Sequence, residues 1–100
     1  MVQAIIWSDL ALKTYIQNIE FLKEEWTRKE VDNFIEAVER KLDLLKTQPL
    51  IGKLTNKRKH IRSTLIIGPV ILVYRLAVKK QQIELVRFFN TRQNPKRSHI

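Results

Sequence analysis

Two amphipathic stripes follow each other in this chain with almost no sequence between them. Thr27 and Glu30 have the spacing of a capping box, which marks a helix start. Apolar residues before and after this box recur in steps of three and four, as on one face of a helix. Two helices joined this closely pack as an antiparallel hairpin, and each needs another apolar surface. The stripes comprise Ala11, Tyr15, Ile19, Leu22 and Trp26, then Val31, Phe34, Ile35, Val38, Leu42 and Leu45.

The limits of the helical hairpin are marked by local signals. Val2 to Trp7 is β-branched and aromatic, which predicts a short opening strand. Ser8 follows as a candidate N-cap for the first helix. The second helix is expected to end before Pro49, while Trp26 and Val31 have the positions of a hydrophobic staple.

The second half of the chain supplies strands that can cover the helices. Three strand-like runs, Ile61 to Ile67, Val70 to Val78 and Gln82 to Phe89, are separated by connections short enough for hairpin turns. The order is therefore β-α-α-β-β-β. We predict an α+β domain over residues 1–92, with the helical hairpin on one face of a twisted, mainly antiparallel sheet. The opening strand is expected at an edge of this sheet, and residues 93–100 are predicted to be a polar, flexible tail.

Charge is divided unequally along the chain. Residues 1–44 carry six basic and nine acidic side chains, whereas residues 45–100 carry thirteen basic side chains and one acid, Glu84. The net charge of +9 therefore comes from the second half. Such a concentration of one sign predicts a polyanionic or acidic partner.

Composition also excludes several classes of site. The chain has no cysteine, so neither a disulfide framework nor a thiolate metal site is possible. Its two histidines, His60 and His99, lie far apart, and no metal or cofactor is expected. The start lacks the pattern of a secretory signal, and the longest apolar run is too short to cross a bilayer. We expect a soluble, cytoplasmic protein without a membrane partner.

Several local features occur together at characteristic spacings. A first strand ends at a tryptophan, a helical hairpin follows, and a Pro-x-x-Gly step precedes a basic approach to the next strand. The third strand contains Leu-Val-Tyr, and the last ends in a turn with arginine. These features are Trp7, Ser8 to Lys46, Pro49 to Gly52, Lys57-Arg58-Lys59, Leu72-Val73-Tyr74 and Asn90 to Pro95. In this combination the chain resembles the RelE/ParE superfamily of toxins from bacterial type II toxin–antitoxin modules.

The resemblance implies a growth-inhibiting toxin held inactive by a cognate antitoxin, for which we expect an acidic segment. The superfamily has two branches. ParE-like members bind DNA gyrase, whereas RelE-like members cut messenger RNA on the ribosome without a metal, through basic side chains that serve acid–base and electrostatic catalysis.

The nuclease pattern matches this sequence only in part. Aligned through Leu72-Val73-Tyr74, two of its basic positions fall on Arg62 and Arg92, and His60 is a candidate general base. Two further basic positions fall on Thr64 and Ile71, and no tyrosine follows Tyr74. We therefore favour the ParE-like branch. The alternatives are a ribosome-dependent endoribonuclease and a non-toxic nucleic-acid-binding module.

Basic side chains of the second half are the candidate contacts with a target or nucleic acid. Alternation along its strand is expected to place Arg62 on the sheet face away from the helices. Arg75 and Arg87 are expected on the same face, because burying an unpaired guanidinium is costly. Together with Arg92 they are predicted to form one concave basic patch. Phe88 is the best candidate for stacking on bases. The full set of candidates is Lys53, Lys57, Arg58, Lys59, Arg62, Arg75, Arg87 and Arg92.

Overall fold

The computed structural model describes residues 3–25 and 27–92. Its two helices are α1 (Asp9–Glu25) and α2 (Arg28–Thr47). Within the described residues the strands are β1 (Ala4–Trp7), β2 (Lys53–Asn56), β3 (Ile61–Ile67), β4 (Val70–Ala77) and β5 (Gln82–Asn90), with a 3-10 turn, Val78–Lys80, between β4 and β5. The predicted tail, residues 93–100, lies outside the described residues, as does Trp26 of the predicted staple.

The five strands form one mixed sheet in the order β1-β5-β4-β3-β2. β1 pairs in parallel with β5, and the other neighbours are antiparallel. The predicted α+β class and the edge position of the opening strand are confirmed. Strand β2 was not predicted. Its sequence, Lys-Leu-Thr-Asn, has little apolar pattern because all four residues of this edge strand are exposed.

Both helices cover the same face of the sheet. The buried side chains of β4 are Val70, Leu72 and Tyr74, and they pack with Phe34 and Val38 of α2. From β5 the core receives Ile83, Leu85 and Phe88, and from the remaining helix positions Ala11 and Leu45. The opposite face of the sheet is turned away from the helices, and we call it the open face.

An irregularity in β5 changes which side chains reach the core. The pairing of β4 with β5 shifts between Val73 and Tyr74, so that Tyr74 lies opposite Leu85 and Val73 opposite Arg87. Phe88 is thereby brought onto the core side and is only 2% exposed. Strict alternation from the buried Leu85 would place Phe88 on the open face. The prediction that Phe88 stacks on bases is therefore wrong.

Aromatic rings fill the space between α1 and the sheet. The ring of Trp7 lies 5.6 Å from that of Phe88 and meets Tyr15 edge-on at 5.3 Å, and Tyr15 lies 5.6 Å from Phe34. Burial, and secondarily the charge of Glu39, raise the pKa of Tyr15 above its ordinary value. These contacts hold α1 against β5 and β1.

The two helix starts differ from each other. Ser8 caps α1: its Oγ accepts a hydrogen bond from the Ala11 amide at 3.0 Å and donates to the Val86 carbonyl at 3.1 Å. Thr27 occupies the N-cap of α2 but makes no side-chain bond to a backbone amide. Its hydroxyl donates instead to the Glu30 carboxylate. The Ser8 cap is therefore confirmed, and the capping box at Thr27 does not form in its predicted manner.

Candidate functional site

Arg62 lies on the side of the sheet that the helices cover. It pairs with Tyr74, whose side chain is fully buried, so the two residues share a face. Its Nη1 donates to the carbonyls of Leu50 at 3.2 Å and Gly52 at 2.8 Å. The expectation that Arg62 projects from the open face is wrong, because the register of β3 against β4 directs it toward the chain that follows α2.

The hydroxyl of Tyr74 also binds the segment that follows α2. Its hydroxyl donates to the Pro49 carbonyl at 2.8 Å and accepts a hydrogen bond from the Gly52 amide at 3.0 Å. A Cβ at position 52 would stand 2.5 Å from the Tyr74 hydroxyl and 2.8 Å from the Ser63 carbonyl, so glycine fits where a larger residue would collide. Burial raises the pKa of Tyr74, while the Gly52 hydrogen bond and the Arg62 charge oppose that rise.

Arg75 and Arg87 lie on the open face. Val73 and Arg75 flank the buried Tyr74 in β4 and so point away from the core, and Arg87 lies opposite Val73. Arg75 is bound there: its Nε donates to Glu84 Oε1 at 2.9 Å, and its Nη2 contacts the same oxygen. Arg87 is held by an aromatic contact, with its Cζ 4.7 Å from the centre of the Phe89 ring. The Nε of Arg87 is buried without a hydrogen-bond partner in the described part of the chain.

Lys53 is exposed in the same row of the sheet as Arg87. Arg87 pairs with Val73, Val73 with Ser63, and Ser63 with Lys53. The next row along the open face is apolar and consists of Phe89, Ile71 and Leu65.

Arg92 lies at the far end of the molecule from Arg75. It follows Asn90, which pairs with Val70 at the start of β4, whereas Arg75 lies near the end of that strand. Arg92 lines a cavity of about 270 Å³ between the helical hairpin and the turn at Gly68 and Pro69. Arg62, Arg75 and Arg92 therefore do not converge, and the predicted concave patch containing all of them is not formed.

A different group of cations does converge. The turn between β2 and β3 and the turn between β4 and β5 lie at the same end of the sheet, where the Leu76 amide donates to the His60 carbonyl at 3.1 Å. A shallow groove of about 600 Å³ runs between them, lined in part by His60, Lys79 and Lys80. We call this region the cationic end; its side chains, all exposed, are Lys57, Arg58, Lys59, His60, Lys79 and Lys80.

The β2–β3 turn is shaped by its own side chains. Asn56 Oδ1 accepts a hydrogen bond from the Lys59 amide at 3.0 Å, and the Thr55 hydroxyl donates to the Ile61 carbonyl at 3.2 Å. His60 has a positive φ of 58°, which turns the backbone into β3. Lys79 and Lys80 were not predicted as site residues. An antiparallel meander places the end of β4 beside the start of β3, and this signal was sufficient to find them.

Residues 3–25 and 27–92 contain no group of three or more His, Asp or Glu side chains that could hold a metal ion. Among these residues no helix has both the length and the apolar character needed to span a bilayer.

Comparison with known proteins identifies the family of this chain. The ParE toxin of type II toxin-antitoxin systems, parDE, is the family that matches residues 5–95. The chain belongs to that family. The predicted superfamily is confirmed. As a member of this family, the toxin has an antitoxin of the type II class as its partner. A search of curated proteins found no match for it.

Solved structures similar to the toxin agree with its fold. In the crystal structure of the RelBE2 toxin-antitoxin complex from Mycobacterium tuberculosis, one chain is 16% identical with a TM-score of 0.62, over 90% of this toxin and 99% of that chain. A mutant of the E. coli toxin RelE in the free state, with two arginines replaced by alanine, is 15% identical. Its TM-score is 0.63 over 98% of this toxin and 93% of that chain.

Proposed function

We propose that this toxin stops growth by binding an essential cytoplasmic protein, as the gyrase-directed branch of the superfamily does, and that it does not cut messenger RNA. Membership of the ParE toxin family supports this target class. DNA gyrase is the first candidate, because the resemblance of the sequence to ParE-like members implies it.

The dispersal of the candidate catalytic residues supports the proposal most. Metal-independent cleavage of RNA needs a base near the ribose hydroxyl and cations at the same phosphate, all within hydrogen-bond reach of the reacting atoms. Arg62 is bound to two backbone carbonyls on the helix side, and His60 is exposed in the turn between β2 and β3. Arg92 is near the opposite end of β4. Such an arrangement offers no common position for a scissile phosphate.

The open face has the character of a protein-binding surface. Leu65, Ile71 and Phe89 form an apolar row, with Leu65 58% exposed, and Arg87 lies beside it over the Phe89 ring. Apolar side chains around a partly desolvated arginine are typical of the centres of protein interfaces. Of the candidate basic residues, we expect Arg87 to contribute most to target binding, with Lys53 at the rim.

An antitoxin with an acidic segment is the expected neutralising partner. The family and the RelBE2 complex support an antitoxin, and the excess of basic residues in the second half supports the acidic character of its segment. Because charge attraction between exposed groups is screened by salt, we expect the complex to weaken as salt is raised.

Supercoiling of relaxed plasmid by purified gyrase tests the target. We expect the toxin to inhibit the reaction, and Arg87→Ala to raise the half-inhibiting concentration about tenfold or more, as loss of an interface hot spot does. Arg40→Ala is the matched control, because Arg40 is an exposed arginine on α2 paired only with Glu36 within the described residues. It should change inhibition by less than about twofold.

Supercoiling that is unaffected by the toxin would exclude gyrase as the target. Equal effects of Arg87→Ala and Arg40→Ala would exclude the open face as the binding surface. If high-level production without any antitoxin leaves growth unchanged, both toxin hypotheses are contradicted. The non-toxic nucleic-acid-binding alternative is then favoured.

The ribosome-dependent nuclease stays the second candidate because the similar solved structures are RelE-type toxins. In that case Arg62, Arg92 and His60 would carry the reaction. Codon-position cleavage of translated messages after induction, lost in Arg92→Ala, would support it. Arg92 is the better test residue, because Arg62 also supports the fold.

A further inference from the structure

The cationic end consists of two turns held side by side. The turn of residues 57–60 joins β2 to β3, and the turn of residues 78–81 joins β4 to β5. Neighbouring strands lie about 4.8 Å apart, so the centres of the turns, two strand positions apart, are roughly 10 Å from each other. The hydrogen bond from Leu76 to His60 fixes the position of the first turn against β4.

The charge of this region is concentrated and uncompensated by its surroundings. Glu84 is the only acid in residues 45–100, and it lines the groove while bound to Arg75. The groove is also lined by the apolar residues Leu76 and Ala77, so Glu84 is the one anion among its lining residues, and it is already bound to Arg75. The four exposed lysines and one exposed arginine therefore keep their charge available to an external anion.

The chemistry of the side chains favours a phosphate backbone. Lysine ammonium groups bind phosphates as mobile point charges and read no base sequence. Single-stranded nucleic acids are usually held by stacking on aromatic rings. At the cationic end the described residues include no aromatic side chain other than His60, and the rings of Trp7, Tyr15, Phe34 and Phe88 are packed together elsewhere. A tight protein interface would also need an apolar or aromatic anchor, and among the described residues of the two turns only Val78 is an exposed large apolar side chain.

The spacing of the turns agrees with B-form DNA. Lysine side chains that extend from turns roughly 10 Å apart can spread to both edges of its major groove, which is about 12 Å wide, so each turn can meet the phosphates of one strand. We propose that the cationic end binds the backbone of double-stranded DNA without sequence preference, at a site separate from Arg87 and the apolar row of the open face. This inference is independent of the proposed protein target.

Fluorescence anisotropy with a labelled mixed-sequence DNA duplex about two helical turns long tests the site. Two variants each remove two charges from one turn: Lys57→Gln with Lys59→Gln, and Lys79→Gln with Lys80→Gln. The matched control, Lys13→Gln with Lys23→Gln, removes two charges from exposed positions on α1. Titrations between about 50 and 200 mM salt give the number of phosphate contacts from the slope of log affinity against log salt.

Each turn variant is expected to weaken binding about tenfold or more at intermediate salt and to reduce the salt slope by about one to two. The α1 control should weaken binding less than about threefold. Equal losses in all three variants would show that affinity follows net charge alone, and would overturn the proposal. So would undetectable binding at low salt, or tighter binding of an RNA duplex or of polyglutamate through the same lysines. Urea midpoints of the variants verify that each remains folded.

Discussion

At the scale of single residues, Arg62 and Tyr74 fasten the chain segment that leaves α2 to the sheet. Arg62 binds the Leu50 and Gly52 carbonyls, and the Tyr74 hydroxyl bonds to both Pro49 and Gly52. The sequence offered Arg62 as a catalytic residue because charge alone does not distinguish a guanidinium that faces a substrate from one that satisfies backbone carbonyls. Its position became clear only from the register of β3.

Tyr74→Phe tests this fastening. The substitution keeps the buried ring but leaves the Gly52 amide and Pro49 carbonyl without the hydroxyl, so we expect a loss of about 1–3 kcal/mol in the free energy of unfolding. Urea denaturation followed by circular dichroism measures it. Tyr15→Phe, in the aromatic cluster, is the control and should change stability by about 0.5 kcal/mol or less. Similar losses in both variants would contradict the role assigned to the Tyr74 hydroxyl.

The raised pKa of Tyr74 predicts a dependence of stability on alkaline pH. The folded protein holds the phenolic proton more tightly than the unfolded chain does, so the contribution is complete below about pH 10 and is lost as pH rises through the pKa of the folded state. We expect the urea midpoint of the unsubstituted protein to fall more steeply above about pH 10 than that of Tyr74→Phe. Parallel profiles would contradict the prediction, because lysine deprotonation affects both proteins alike.

At the scale of elements, the sequence predicted the helices and the three long strands within a residue or two at their ends. Helical periodicity and turn residues carry that information locally. Two features escaped prediction. Strand β2 exists through its backbone pairing with β3 and not through an apolar pattern of its own. The shift in pairing beside Val73 depends on how β5 fits under α1, so the burial of Phe88 was not readable from alternation.

The unlike helix starts give an element-scale prediction. Ser8→Ala removes the bond to the Ala11 amide and the link to Val86, so we expect a loss of about 1–2 kcal/mol in the free energy of unfolding. Thr27→Ala removes a bond between two exposed side chains and should lose less than about 0.5 kcal/mol. Thermal and urea unfolding of both variants measure the difference. A larger loss of unfolding free energy in Thr27→Ala than in Ser8→Ala would contradict this prediction and indicate that the capping box stabilises the start of α2.

At the scale of the whole molecule, the basic side chains of the second half occupy several separate places on the fold. The basic side chains were predicted to meet as one patch on the sheet. They divide instead among the open face, the contact with the segment after α2, the far end at Arg92 and the cationic end. The sequence could predict that a cationic surface exists. Which cations share it depends on strand register and on which of them are already bound within the fold.

Growth arrest without cleavage of messenger RNA is the central property proposed for this toxin. Its direct test is the sequencing of RNA 5′ ends before and after induction, in cells whose growth is followed at the same time. We predict that growth stops while translated messages show no new ends at codon positions. Accumulation of such ends with the onset of arrest, abolished in Arg92→Ala, would contradict the account and assign the toxin to the nuclease branch.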